Sequence, residues 1–168
     1  MKDVFSRGAL LAVALSAVSG MSTVSCAPPV DLTKNLQVID VSTGWADAGL
    51  TESGENKLVP FVQFKLKNTS DQNLPVLQVN AMFRPLKEDK EWGSRFQSVT
   101  GSEGLSSNAT STTLKLVSDR GAKGTDPRAT IMKSAYFVDA RVELFAKYGS
   151  AQWAKVGEYP VQRVLALN

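Results

Sequence analysis

The chain offers few residues for a catalytic site, because its 168 residues include no histidine and a single cysteine. Histidine is the commonest general base near neutral pH and a common metal ligand. Asp139 and Glu143 could form a carboxylate pair, but residues four apart on a strand are about 13 Å from each other. Glycosidase carboxyls stand closer, at roughly 5 to 9.5 Å. With Arg141 between them, we predict a charged sheet surface rather than a catalytic pair.

Two segments have the composition of ion-binding loops without the required spacing. Residues 120–125, Arg-Gly-Ala-Lys-Gly-Thr, contain the glycines and lysine of a phosphate cradle, but such a cradle ends in the order Gly-Lys-Ser/Thr. Residues 87–91 hold three acids but lack the spaced oxygen ligands and the glycine of a calcium loop. We favour solvated connections at both places over a nucleotide or metal site. The sequence thus predicts no catalytic residue, cofactor or metal ligand.

Aromatic residues offer a second kind of site. Trp45, Trp92, Trp153 and Tyr159 could form a platform for a sugar or a peptide. Large amphipathic rings more often fill a core or its ends, and this is the interpretation we favour. A concave pocket lined by two of the three tryptophans would favour such a site.

Residues 1–25 have the three-part pattern of a secretory signal peptide. Lys2 and Arg7 precede an apolar run from Gly8 to Val18, and small residues follow. The run of about 11 residues is shorter than the roughly 20 that a helix needs to cross a bilayer. We therefore expect the leader to be removed by cleavage.

Residues 23–26, Thr-Val-Ser-Cys, resemble the lipobox of bacterial lipoproteins, although that family prefers Leu where this chain has Thr23. The resemblance implies a diacylglyceryl group on the Cys26 sulfur and usually an acyl chain on its amine. Two or more chains are what stable anchoring requires. Ala27 after the cysteine implies, by resemblance to Gram-negative lipoproteins, the periplasmic face of the outer membrane.

The segment 26–34 then consists of the lipidated Cys26 and a tether, in which Pro28 and Pro29 favour an extended spacer. The alternative is an ordinary signal peptide cut near Ser22 or Ser25, which would leave a secreted protein with one free thiol.

Residues 35–168 show mostly the period of two that is typical of β-strands. The two clearest strands lie at 62–67 and 77–84, and the residues that we expect to face inward are Val62, Phe64, Leu66, Leu77, Val79, Ala81 and Phe83. The polar residues 68–73 between them predict a hairpin or a short arch.

Further strands are predicted at 36–42, 92–99, 112–117 and 136–147, with a helix as the alternative for the last of these. A final strand between 153 and 167 contains Pro160, which indicates an edge or a broken strand. These elements predict one all-β domain, an immunoglobulin-like antiparallel β-sandwich of about seven strands. Its longest irregular stretches, 43–57 and 119–129, are where binding residues are often found.

The segment from Val62 to Phe83, with its strand, its Lys-Asn-Thr-Ser-Asp turn and its second strand, resembles the core of immunoglobulin-like domains of the FxLYD kind, which occur in bacterial envelope lipoproteins. The shared pattern is a turn motif rather than a site. It therefore implies a fold, and no functional residues come with it.

The formal net charge is only +3, and charges of both signs are interleaved, so no nucleic-acid partner is expected. We expect a non-catalytic, lipid-anchored module that engages another envelope protein through strand edges or loops. The alternative is a lipoprotein that binds a lipid, glycan or peptide for an envelope transport system. An enzyme that works without histidine is a third possibility, which the residue spacing does not support.

Overall fold

The computed structural model describes residues 28–166, so the predicted leader, residues 1–25, and Cys26 lie outside the described residues. Within this range the elements are α1 (Leu32–Asn35), β1 (Leu36–Leu50), β2 (Asn56–Asn68), β3 (Gln78–Pro85), β4 (Gly93–Ser98), β5 (Leu114–Val117), β6 (Ala122–Gly124), α2 (Arg128–Lys133), β7 (Ala140–Lys147) and β8 (Ala154–Pro160). They form two antiparallel sheets. The prediction of an all-β sandwich is confirmed, with eight strands in the described range where the sequence predicted about seven.

The first sheet has the order β1-β2-β5, with β6 also paired to β2, and the second has the order β4-β3-β7-β8. The core lies between them and is built by the period-two pattern of the central strands. The seven residues predicted to face inward are all fully buried; six lie on β2 and β3, and Leu77 directly precedes β3. Alternate residues of β7, namely Ala140, Val142, Leu144 and Ala146, complete the inner face of the second sheet.

The connection from β2 to β3 is an arch, because these two strands belong to different sheets; the hairpin alternative is wrong. Asn68 organises this arch from a fully buried position. Its side-chain amide donates to the carbonyl oxygens of Gln72 at 2.8 Å and Leu105 at 2.9 Å, and its oxygen accepts from the Ser70 amide at 3.0 Å. A buried amide that makes these bonds ties the arch to the 101–107 loop.

Residues 43–57, predicted to be irregular, are mostly strand, since β1 continues to Leu50 and turns directly into β2. The second half of β1 is hard to predict because Trp45 pairs with Pro60 in the middle of β2. A proline normally indicates an edge strand rather than a central one. Here the Trp45 backbone bonds outward to the segment after β8, so this is a pair without mutual hydrogen bonds. The missing N–H of Pro60 faces the gap where β5 ends and β6 begins.

The stretch 119–129, also predicted to be irregular, contains β6 and the start of α2. For 136–147 the helix alternative is wrong, but the strand begins only at Ala140. Val138, which the alternation of a strand over 136–147 would place on the buried side, is exposed, and Phe137 is buried instead. β8 is an edge strand that ends at Pro160, as predicted.

The sandwich has two ends. We call proximal the end at which residues 28–30 contact the sandwich. There the Val30 amide donates to the Tyr148 hydroxyl at 2.6 Å, and the Gln72 side chain donates to the Pro28 carbonyl at 3.1 Å. At the distal end β3 and β8 finish, β4 and β7 begin, and α2 covers the opening. Among residues 28–166, no helix has both the length and the apolar character to span a membrane.

Candidate functional site

The distal end displays apolar side chains on the segment 134–139, which we call the display segment. Tyr136 has 93% of its surface exposed and Val138 has 48%. Phe137, between them, points the other way and is buried against Trp45, with ring centroids 4.6 Å apart and an interplanar angle of 68°. The buried Phe137 thus keeps the Tyr136 and Val138 side chains exposed to solvent, where they add little to the packing of the core.

Local hydrogen bonds and the packing of the core shape this segment. The Phe137 amide donates to the Ser134 carbonyl at 3.1 Å, and the Tyr136 amide donates to the Ser134 hydroxyl at 3.2 Å. Trp45 also contacts Trp92 edge to face, with centroids 5.9 Å apart. The three rings form a solid base beneath the display segment.

Arg163, which follows β8, clamps the display segment in place. Its Nε lies 2.6 Å from Oδ1 of Asp139, and a terminal nitrogen donates to Oδ2 at 3.0 Å. The same guanidinium donates to the carbonyls of Met132 and Phe137, both at 3.2 Å, and lies 5.1 Å from the Phe137 ring centroid. Such a bidentate pair fixes orientation as well as charge.

The Arg163 hydrogen bond is the main cause that lowers the pKa of Asp139 below its ordinary range, and Asp139 in turn raises the pKa of Arg163. Both groups therefore stay ionised near neutral pH. Since the carboxylate is already occupied by Arg163, it is poorly placed to act as a general base.

A shallow groove runs along each side of the exposed Tyr136. The first, about 290 Å³, is lined by Trp92, Lys123, Asp126 and Ile131 among others. The second, about 350 Å³, is lined by Leu86, Lys87, Glu88 and Arg163 among others. Both are bounded by residues 136–138. The arrangement is a ridge between two troughs, a shape suited to the surface of a partner protein.

The four aromatic residues considered in the sequence do not form one platform. Trp45 is buried in the core with Trp92 against it, whereas Trp153 lies edge to face with Phe96 on the outer surface of the second sheet. Tyr159 is half-buried on β8. Of the three tryptophans only Trp92 lines either groove beside Tyr136, so a pocket lined by two tryptophans, which would favour a ligand carrier, is not formed there.

The acidic candidates are separated and paired with cations. Asp139 is held by Arg163, while Glu143 accepts from Arg84 and Lys155. In the cluster 87–91, Asp89 pairs with Arg141 at 2.7 Å. Within the described part of the chain no three His, Cys, Asp or Glu side chains are grouped as a metal site would require.

In residues 120–125 the three residues of β6 pair with β2, so the segment is partly a strand rather than only a solvated connection. Cys26, the predicted lipidation site, lies outside the described residues. Sequence reasoning missed Tyr136 as a candidate. The only signal was the run Tyr136-Phe137-Val138, three successive apolar residues that violate the alternation of a half-buried strand.

No protein-family model and no curated protein matches the chain. The chain is similar to an X-ray structure of a Northeast Structural Genomics Consortium target, with 12% identity over 78% of this chain and 89% of the other, at a TM-score of 0.44. It is also similar to a solution structure of an Arabidopsis thaliana protein, with 12% identity over 81% of this chain and 85% of the other, at a TM-score of 0.40. Similarities of this size carry no argument about function.

Proposed function

We propose that this chain is a lipid-anchored lipoprotein of the bacterial cell envelope that binds another envelope protein through its distal end and catalyses no reaction. The observation that carries the proposal is Tyr136, an aromatic side chain that is 93% exposed between two grooves. Tyrosine is enriched among the residues that dominate binding energy in protein interfaces. Together with Val138 and the lining of the two grooves, this ring forms a contiguous exposed apolar surface, and such surfaces mark protein-interaction sites.

The position of the anchor supports this arrangement. The lipobox-like residues 23–26 end two positions before Pro28, and Pro28 is fastened to the proximal end of the sandwich. Lipid on Cys26 would therefore hold the proximal end at the membrane and leave the distal end facing away from it. This is the orientation that a module for a second envelope protein requires.

Photo-crosslinking in cells tests the docking surface. A photoreactive phenylalanine analogue replaces Val138, which is exposed beside Tyr136, or Thr113, which is exposed just before β5 and serves as the control. We expect one discrete protein adduct from position 138, no such adduct from position 113, and loss of the adduct when Tyr136→Ser is added, because the anchoring ring is gone.

The same cells test the anchor. We expect the mature chain in the membrane fraction to begin at Cys26 with added acyl mass, and the Cys26→Ala variant to leave that fraction. No protein adduct from position 138 would overturn the docking proposal, and an adduct only to a small molecule would favour the ligand-carrier alternative. An unmodified Cys26 in the soluble fraction would overturn the anchor and leave the docking result standing.

A further inference from the structure

Two exposed rings and a cation form a patch on the outer face of the second sheet, which we call the aromatic patch. Phe96 on β4 is 54% exposed, and Trp153, the residue before β8, is 41% exposed. Their centroids are 6.3 Å apart at an interplanar angle of 83°. The Lys147 amine lies 5.2 Å from the Trp153 ring centroid. The rings lie on the side of the sheet that faces away from the core. Phe96 pairs with Asn80, and the residues on either side of Asn80, namely Val79 and Ala81, face inward.

The aromatic patch lies towards the proximal end, where the tether is attached. Lys147 is the last residue of β7, and the next residue, Tyr148, accepts the bond from Val30. The Gly149 amide donates to the Pro75 carbonyl at 3.0 Å in the same region. The helix α1, which overlaps the end of the segment 26–34, contacts β8, the strand that begins at the residue after Trp153.

The distance from the anchor to the body is short. Only Ala27 lies between Cys26 and Pro28, so the two residues are two steps apart along the chain, and two steps span at most about 7 Å even when fully extended. Since Pro28 and Val30 are both bonded to the proximal end, acyl chains on Cys26 would keep that end within reach of the lipid headgroups.

We propose that the aromatic patch rests on the membrane surface, with Trp153 and Phe96 among the headgroups and Lys147 beside the lipid phosphates. This inference rests on the proposed lipid anchor. Trp is favoured at the membrane interface because its ring is apolar and its N–H is polar, and lysine can cover apolar surface while its amine stays in water. The anchor makes the contact intramolecular, so a small patch is sufficient to orient the domain.

Fluorescence quenching on vesicles tests the contact. A chain that begins at Cys26 is coupled through this thiol, the only one in the sequence, to a maleimide-bearing lipid in phosphatidylcholine vesicles that contain brominated acyl chains. Bromine quenches tryptophan only at short range. We expect the tethered chain to lose emission relative to unbrominated vesicles, and the Trp153→Phe variant to lose none, because Trp45 is buried and Trp92 lies at the distal end.

A matched variant reports from the opposite end. In the double variant Tyr136→Trp, Trp153→Phe the reporter ring is exposed on the display segment, and we expect no quenching there. Absence of quenching in the unaltered chain, or equal quenching from positions 136 and 153, would overturn the membrane contact. Because the coupling is chemical, either outcome leaves the native acylation of Cys26, which intact mass measures, as a separate question.

Discussion

At the scale of single residues, Glu143 shows how a carboxylate that resembles a catalytic candidate serves the fold. On the outer face of the second sheet its oxygens accept from Arg84 on β3 at 2.9 Å and from Lys155 on β8 at 2.8 Å, and its side chain is only 12% exposed. The hydrogen bond from Lys155 is the largest cause of a pKa of Glu143 below its ordinary value, and the hydrogen bond from Arg84 lowers this pKa further. The group braces three adjacent strands.

This lowered pKa makes stability depend on pH. A carboxyl whose pKa is depressed by folding contributes stability above its unfolded pKa, near 4.5, and that contribution is lost as the pH falls through the folded pKa. We expect Glu143→Gln to lower the free energy of unfolding at neutral pH by about 1 to 3 kcal/mol, the usual size for hydrogen bonds to a charged group. Below the folded pKa the difference from the unaltered chain should shrink.

Urea unfolding of both chains at neutral and at strongly acidic pH measures this. Glu158→Gln is the matched control, because Glu158 also contacts Lys155 but is about half exposed; we expect a change within about 0.5 kcal/mol. A difference for Glu143→Gln that stays the same down to acidic pH would show that the ion pairs do not set the effect.

At the scale of elements, β6 depends on one glycine. The three residues of β6 pair with residues 56–58 of β2, just before Pro60, and Gly121 precedes them. A Cβ at Gly121 would clash with the Leu58 carbonyl oxygen and come within 2.8 Å of the Val59 Cα. Neither atom belongs to a flexible side chain, so the backbones of β2 and β6 must separate to admit it.

We therefore expect Gly121→Ala to destabilise the fold by roughly 1 to 3 kcal/mol, the cost typical of overpacking, and to speed amide hydrogen exchange along β6. Thermal unfolding and hydrogen exchange measure the two effects. Lys123→Ala, an exposed change on the same strand, should alter stability by no more than about 0.5 kcal/mol. Unchanged exchange in Gly121→Ala would show that β6 is free to shift.

The elements also show what the sequence could predict. Alternation is a local signal, and it identified the buried faces of β2 and β3, where every second residue is apolar. The distal half of β1 was missed because its pairing depends on Pro60 being placed opposite Trp45, which is a tertiary fact. The display segment was missed for the same reason, since Phe137 is buried only because Trp45 lies beneath it. The lipidation of Cys26 stays a prediction.

At the scale of the whole molecule, residues 161–166 strap the two sheets together. On β1, the Trp45 amide donates to the Val164 carbonyl and the Ala166 amide donates to the Trp45 carbonyl, both at 2.8 Å. On β7, the Val161 amide donates to the Ala140 carbonyl at 2.8 Å, and the Val161 side chain is buried. The strap also carries Arg163 to the display segment.

A chain that ends after Pro160 should lose these bonds together. We expect its free energy of unfolding to fall by roughly 3 to 5 kcal/mol, from one buried valine and several hydrogen bonds, and urea unfolding measures it. Val164→Ala keeps the backbone bonds and changes an exposed side chain, so it should cost no more than about 0.5 kcal/mol. If the urea midpoint of the truncated chain is unchanged, residues 161–166 do not contribute to the stability of the sandwich.

The fastening of Pro28 and Val30 to the proximal end would have a geometric consequence if Cys26 carries the proposed acyl chains. The eight residues of β7 begin beside the display segment and finish at the proximal end, and they span about 26 Å at 3.3 Å per residue. With the proximal end held at the lipid, about that length would be the greatest height of Tyr136 above the membrane, and the tilt set by the aromatic patch would fix the height within that limit. Tyr136 would then reach only those partner proteins whose complementary surface lies at a matching distance from the membrane. It would meet them by lateral diffusion in the plane of the membrane.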